Sequence, residues 1–513
     1  MTLVSRFNKT FQTYADEIAV EFNDDKATFS EINRNANKIA NALRKISVNK
    51  GDRVALFLAN NLELVHFFAG ILKNGSIVVP MNTYFKEIEA KHMLNDSGAK
   101  VILTDKERLP IIKKILPQLN FLKHVIAIDS NDYINFNDFI KDAPDTNPDI
   151  EIDDEDGSIM FYTSGTTGRC KGALLSHRNM ESDLEALKQT WHLTAKDKLI
   201  LALPLYHIHG LGVALCSSFY NGYSFVLRKK FDPEEVLTLI EKEKCTLFMG
   251  VPTMYVKILE LEDKEKYDVS SMRLFISGSA PLSAETFKEF KDAFGHEVLE
   301  RAGMSETNMN FSNPYHGKRK PGTVGLPLPG VQVKIVDNEF NPVPRGKEGE
   351  ILLKGPNVFK GYWNCEEKTR ESFRGGWFIT GDLGKIDEDG YVTFMGRNKD
   401  LIISGGLNIY PVEIEEVINM HPEVAESAVV GVYDKCFGEA VKAFIVLRDG
   451  IKISDNEIIA YCKQRLASYK KPKHVEFIDA LPRNTMGKVQ KNILREKEIK
   501  CLNSSNGSGS ECI

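Results

Sequence analysis

The sequence contains no C-x-x-C pair. Its eight cysteines stand singly, at positions 170, 216, 245, 365, 436, 462, 501 and 512. Scattered single cysteines argue for free thiols in a reducing compartment and against a zinc knuckle or a disulfide scaffold. No apolar run approaches the roughly 18 residues of a membrane span. The opening segment, MTLVSRFNKTFQTYADE, lacks a signal-peptide core, so no secretory signal is expected, and its early acids weaken the case for a transit peptide. An excess of one charge is also missing: 66 Lys and Arg against 71 Asp and Glu leave a formal net charge of −5. That balance gives no reason to expect nucleic acid as a partner. Glycine (37) and proline (20) are too few in 513 residues for a fibrous or disordered class. A soluble chain remains, expected in the cytoplasm, with the mitochondrial matrix as the alternative. It is long enough for about three structural units, and 42% apolar residues suit a large core.

Helical and strand patterns alternate through the first 290 residues. Ser30 is a candidate cap for a helix whose stripe is Ile32, Ala36, Ile39, Ala40 and Leu43. Compact strand-like runs lie at 53–58, 101–104, 158–163, 198–203, 246–250 and 273–277. Between them, Asp232, Pro233 and Glu235 mark one helix start by cap, first-turn proline and capping box. Strands separated by helices predict largely parallel sheets covered on both faces. After about residue 320 the texture changes to short strands with Gly/Pro turns, GTVGLPLPGVQVKIVD, GEILLKG and GYVTFMG, which reads as a small β-rich unit. The charged segment 396–400 follows, then a compact piece with helices near 411–420 and 456–466 and strands near 427–432 and 440–447. The expected architecture is α/β: residues 1–395 as a large domain whose β-rich subdomain covers about 320–395, a boundary at 396–400, a small α+β domain over 401–500, and a disordered tail over 501–513.

The most informative segment is YTSGTTGRCKGALLSH, 162–177. A strand runs into Thr163, Ser164, Gly165, Thr166, Thr167 and Gly168, with Lys171 and Gly172 beyond. Glycines let backbone N–H groups approach phosphate oxygens, hydroxyls add donors, and Lys171 adds a mobile cation. The loop does not match G-x-x-x-x-G-K-[ST], which speaks against a P-loop nucleotidase. Composition alone leaves a plain Ser/Thr/Gly surface turn as an equal reading.

This loop resembles the signature phosphate loop of the adenylate-forming superfamily, which includes acyl-CoA synthetases, aryl-CoA ligases, luciferases and peptide-synthetase adenylation domains. PLYHIHG (204–210), RLFISGSAPL (273–282), ERAGMSET (300–307), GWFITGDLG (376–384), GRNKDLIISGGLNIYP (396–411) and PRNTMGKVQK (482–491) follow in that family's order. MGVPTMY, KGPNVFKGYW and LPRNTMGKVQKNILR resemble the malonyl-CoA synthetases in particular. The resemblance implies an ATP- and CoA-dependent ligase: a carboxylate attacks the α-phosphorus of ATP, pyrophosphate leaves, and CoA thiolate displaces AMP from the acyl-adenylate. Two anions meet in the first step, so its barrier is largely electrostatic.

Roles follow from the resemblance residue by residue. The loop 163–171 would hold the β- and γ-phosphates. Glu306 would ligate Mg²⁺, a hard ion suited to oxygen, and Ser305 would meet the α-phosphate. Ser279 and Ala280 would border the adenine, together with Glu300, Arg301 and Ala302. The family usually has a stacking Tyr where this chain has Ala302, a difference of roughly 0.5–1.5 kcal/mol. Asp382 and Arg397 would take the ribose hydroxyls. Lys488 would bridge substrate carboxylate and α-phosphate during adenylation only. It lies in a stretch, 463–500, with eleven Lys or Arg against four Asp or Glu. The matching lysine is also a target of protein acyltransferases, which would silence it by removing its charge. Lys399 matches the hinge on which a small mobile C-terminal domain turns, and Gly405 and Gly406 would line the pantetheine tunnel. Singly, each residue has a plainer reading: Asp382 a turn residue, Glu306 a helix cap, Arg397 a surface charge.

For the acid, a second carboxylate needs a cation. Arg301 is the first candidate, with His207 or His209 assisting, because an Arg fork fits a carboxylate. The plainer reading pairs Arg301 with Glu300 or another structural acid. The expected reaction is malonyl- or methylmalonyl-CoA synthesis. Medium-chain or aryl acid ligation and non-catalytic nucleotide sensing are the alternatives.

Overall fold

The computed structural model describes residues 2–163, 171–397, 400–404, 407–434, 437–466, 468–484 and 488–505. It is a mixed α/β structure with large, mainly parallel sheets in the N-terminal part and a small C-terminal domain. One compact unit holds residues 1–333 and 353–378, and the other holds 334–352 and 379–513.

The first unit contains two large sheets. In one, Ile77–Pro80, Arg53–Phe57, Val101–Thr104 and His124–Ala127 run parallel beside Gly157–Thr163, and Lys171–Ser176 and Gly361–Tyr362 close that edge antiparallel. The other is parallel from Ile18–Phe22 through Ser224–Leu227, Lys198–Leu201, Leu247–Gly250 and Leu274–Ser277 to Leu299–Met304. Asn308–Ser312 turns back beside the last of these. Their interior strands are unbroken apolar runs, as expected for sheets covered on both faces. Among the covering helices, Phe29–Lys45 buries Ile32, Ala36, Ile39, Ala40 and Leu43, and packs on Leu62–Lys73. Gly70 makes that approach possible, since a Cβ there would stand 2.5 Å from the Ile39 side chain.

Two capping expectations change. Thr28, not Ser30, caps the helix Phe29–Lys45, because Glu31 sits three residues later and reaches back to the Thr28 N–H to form the capping box. Asp232 does cap Pro233–Glu243, but the Glu235 carboxylate pairs with Arg228 Nε at 2.8 Å, so only the Asp232 half of the predicted box is observed.

A five-stranded sheet built from Gln332–Val336, Gly349–Lys354, Phe373–Arg374, Trp377–Ile386 and Val392–Arg397 carries the chain from one unit to the other. The second unit also holds the sheet of Ile402–Ser404, Leu407–Ile409, Val424–Asp434, Gly438–Leu447 and His474–Phe477, with helices Pro411–Asn419, Asp455–Arg465 and Lys491–Ser505. The last helix includes residues 501–505, where the sequence reads as a disordered tail. Apolar positions on its first turns, such as Leu494, seat it on the sheet beside Val430 and Phe444. The cysteines at 216, 245, 365 and 462 are free thiols. Among the described residues, no helix is long and apolar enough to cross a membrane.

Candidate active site

In the first unit, the hairpin of Gly157–Thr163 and Lys171–Ser176 presents the phosphate-loop ends side by side, with Thr163 paired to Lys171. Ser164, Gly165, Thr166, Thr167 and Gly168 lie outside the described residues. The Lys171 ammonium stands 5.8 Å from the centre of the Tyr362 ring, and the Tyr362 hydroxyl donates to Glu306 Oε1 at 2.9 Å. Glu306 is buried, and Ser305 stands beside it, partly exposed. This turn, between Leu299–Met304 and Asn308–Ser312, demands glycine at 303, where a Cβ would lie 1.9 Å from the Asn308 carbonyl oxygen. A buried carboxylate beside a hydroxyl is an all-oxygen donor set, which fits Mg²⁺.

Arg301 and Glu300 point different ways from one strand. Glu300 Oε1 accepts the Leu282 N–H at 3.0 Å. Arg301, 4% exposed, lies against Gly278. Its Nη1 reaches Met309 Sδ at 3.2 Å, and its Nε and Nη2 have no hydrogen-bond partner among the described residues. Of the plainer reading, no ion pair with Glu300 is found among the described residues, whereas another structural acid, Asp183, does favour the Arg301 charge. Asp183 is the fully buried acid whose charge Arg301 feels. It instead accepts from Asn308 Nδ2 at 2.6 Å and Met309 N–H at 3.2 Å. Burial pushes the Asp183 carboxyl well up and disfavours charge on Arg301, while Asp183 and Tyr255 favour it. An arginine stays protonated even so.

PLYHIHG turns away after the strand Lys198–Leu201 and opens the π-helical stretch His209–Leu215, an irregularity common at functional sites. His209 is buried, and its Nδ1 lies 3.2 Å from Ser279 Oγ. Burial, then the charges of Arg301 and His207, push its imidazole well down, so it is neutral. His207 Nδ1 accepts the His209 N–H at 3.4 Å. Ser279, with φ of 72°, and Ala280 are exposed beyond the strand Leu274–Ser277. Ala302 is buried next to the bulge that precedes Gly303. The structure thus brings Arg301, His209, His207 and Ser279 together, and separately joins Lys171 and Glu306 through Tyr362. Asp183 and Tyr362 escape a sequence reading: they act on Asn308 and Glu306 from 125 and 56 residues away. Tyr362 does stand in KGPNVFKGYW, where only the resemblance pointed.

In the second unit, Asp382 Oδ1 and Arg397 Nε pair at 2.7 Å across adjacent strands. Lys488 is exposed; its N–H donates to Asn484 Oδ1 and its carbonyl accepts the Asn484 N–H, both at 2.9 Å. Lys399, Gly405 and Gly406 lie outside the described residues. Much of the basic stretch is a paired surface: Lys470, Lys473, Arg483, Lys491, Arg495 and Lys497 bind Glu413, Asp434, Glu426, Glu415, Asp400 and Glu476.

Comparison with known proteins accords with this layout. The AMP-binding enzyme family matches residues 7–363, and the AMP-binding enzyme C-terminal domain matches 413–488. A long-chain-fatty-acid–CoA ligase of Bacillus subtilis (strain 168) is 36% identical over 97% of this chain and 95% of its own. A feruloyl-CoA synthase of an Amycolatopsis species is 35% identical over 93% and 95%. The crystal structure of ATP-bound MatB from Rhodopseudomonas palustris superposes with a TM-score of 0.91 and 42% identity, covering 97% of this chain and 99% of that one. The chain belongs to the AMP-binding enzyme family. Within it, the protein is an AMP-forming acid–CoA ligase, with ATP and CoA as substrates.

Proposed function

We propose that this ligase activates malonate, or its methyl homologue, as the acyl-adenylate and passes it to CoA. The observation that carries the reading is the unsatisfied Arg301 cation. A buried guanidinium with two nitrogens lacking partners among the described residues is costly unless a ligand completes it. A dicarboxylic acid supplies the missing anion with one end and the reacting carboxylate with the other. A fatty or aryl acid would instead bury an apolar tail against a cation. Neutral His209, hydrogen-bonded to Ser279, can turn an N–H or a lone pair toward the acid, with His207 behind it.

The resemblance supports the remaining roles. The loop around Thr163 and Lys171 grips the outer phosphates, with Ser164, Gly165, Thr166, Thr167 and Gly168 as its backbone donors. Ser305 meets the α-phosphate and Glu306 holds Mg²⁺, which when bound would offset phosphate charge. Ser279, Ala280, Glu300 and Ala302 border the base. Asp382 and Arg397 take the ribose, and Lys488 neutralises carboxylate and α-phosphate together as they approach. Acylation of Lys488 by a protein acyltransferase would switch that step off. Turning about Lys399 and passage of pantetheine along Gly405 and Gly406 would serve the thioester step. The names of the relatives keep long-chain and aryl acids as the second reading.

ATP–pyrophosphate exchange with malonate, methylmalonate, acetate, octanoate and benzoate side by side decides the substrate. Fastest exchange with malonate or methylmalonate is expected. Fastest exchange with octanoate or benzoate would overturn it.

A further inference from the structure

The segment 356–363 does more than cross the surface. Asn357 Nδ2 donates to the carbonyls of Thr307 and Met309 at 3.0 and 2.9 Å. The Phe359 N–H donates to the Glu306 carbonyl at 2.8 Å. These bonds grip the turn that carries Ser305 and Glu306. The same few residues grip the phosphate hairpin: Lys360 N–H donates to Leu174 O at 3.1 Å, Trp363 N–H to Gly172 O at 2.7 Å, and Gly361–Tyr362 pairs with Leu174 and Ala173. Asn179, on the helix after the hairpin, fixes the segment from below through the carbonyls of Pro356 and Val358. One short segment therefore brackets the ends of two different sheets.

At the centre of the bracket, Tyr362 touches both sides. Its hydroxyl donates to Glu306 Oε1, its ring faces the Lys171 ammonium, and Phe359 holds the ring edge-on at 4.9 Å between centroids. We propose that Tyr362 is a positioning residue for the magnesium site: its hydroxyl orients the Glu306 carboxylate, and the bracket holds that carboxylate in register with Lys171. The proposal rests on the reading of Glu306 as metal ligand. A phenol bonded to one carboxylate oxygen restricts the rotation of the group and directs the other oxygen. Partners of this kind commonly change metal affinity about 10- to 100-fold.

The test uses the full-length protein loaded with ATP, and Mn²⁺ as a paramagnetic probe. Mn²⁺ uptake is followed by electron paramagnetic resonance, metal-free ATP binding by calorimetry, and folding by melting temperature. Tyr362→Phe keeps the ring, its packing and its contact with Lys171, and removes one oxygen. It is expected to weaken Mn²⁺ uptake by about 10- to 100-fold, with metal-free ATP binding and melting temperature unchanged. Wild-type Mn²⁺ affinity in Tyr362→Phe, alongside lost uptake in Glu306→Gln, would leave Glu306 as ligand and overturn the role of Tyr362. Undiminished uptake in Glu306→Gln would instead overturn the assignment of Glu306, and the proposal with it. If Tyr362→Phe melts early, Asn357→Asp, which loosens the bracket while leaving the phenol, must also weaken Mn²⁺ uptake, or the bracket has no part in metal binding.

Discussion

Arg301 shows how far one side chain can narrow a substrate class. Charge-assisted hydrogen bonds are worth about 1.5–3 kcal/mol, which is roughly 10- to 150-fold in affinity. Arg301→Ala should therefore raise KM for malonate by at least about tenfold, and leave KM for propionate within a factor of about two. Steady-state kinetics with both acids checks this; parallel rises would remove Arg301 from the acid site. Its identity as the candidate cation was legible in the sequence, because ERAGMSET places it five residues before Glu306. That its Nε and Nη2 find no partner among the described residues was not legible. That depends on Glu300 being drawn to Leu282 and Asp183 being occupied by Asn308 and Met309, contacts that only the folded chain creates.

Among elements, the helix Leu62–Lys73 ends on a buried cation. Lys73 Nζ donates to Asn33, Asn37 and Asn147 at 2.6, 2.7 and 3.2 Å. Burial pulls its pKa down from 10.5 to about 7. Between those two values the unfolded chain holds a proton that the folded chain has released, so folding gains with rising pH. Below pH 7 both states are protonated and the burial cost is complete. Lys73→Met removes this dependence. The melting temperature of the wild type relative to Lys73→Met should accordingly climb from pH 7 to pH 10, and a constant difference would refute the shift. Core strands were largely legible, since VILT and RLFIS each hold a compact apolar run at a strand's length. Helix ends were less so: Thr28 and Ser30 are both capping types, and the choice depended on which of them Glu31 could serve.

At the level of the whole chain, ordered motifs identified the family, while the partition into compact units was hidden. Residues 334–352 group with the C-terminal part, because the strands Gln332–Val336 and Gly349–Lys354 belong to a sheet completed by residues far along the chain. The hinge at 396–400 is proposed from the resemblance. Proline at 399 fixes φ and would stiffen such a pivot. Lys399→Pro should slow thioester formation by tenfold or more and leave pyrophosphate exchange nearly unchanged; equal loss in both half-reactions would count against a pivot there. The bracket at 356–363 has a practical corollary for recombination among relatives. A crossover placed between residues 309 and 356 would give the metal turn one parent and its clasp another. Hybrids spliced before residue 304 or after residue 363 inherit both halves of the buckle together.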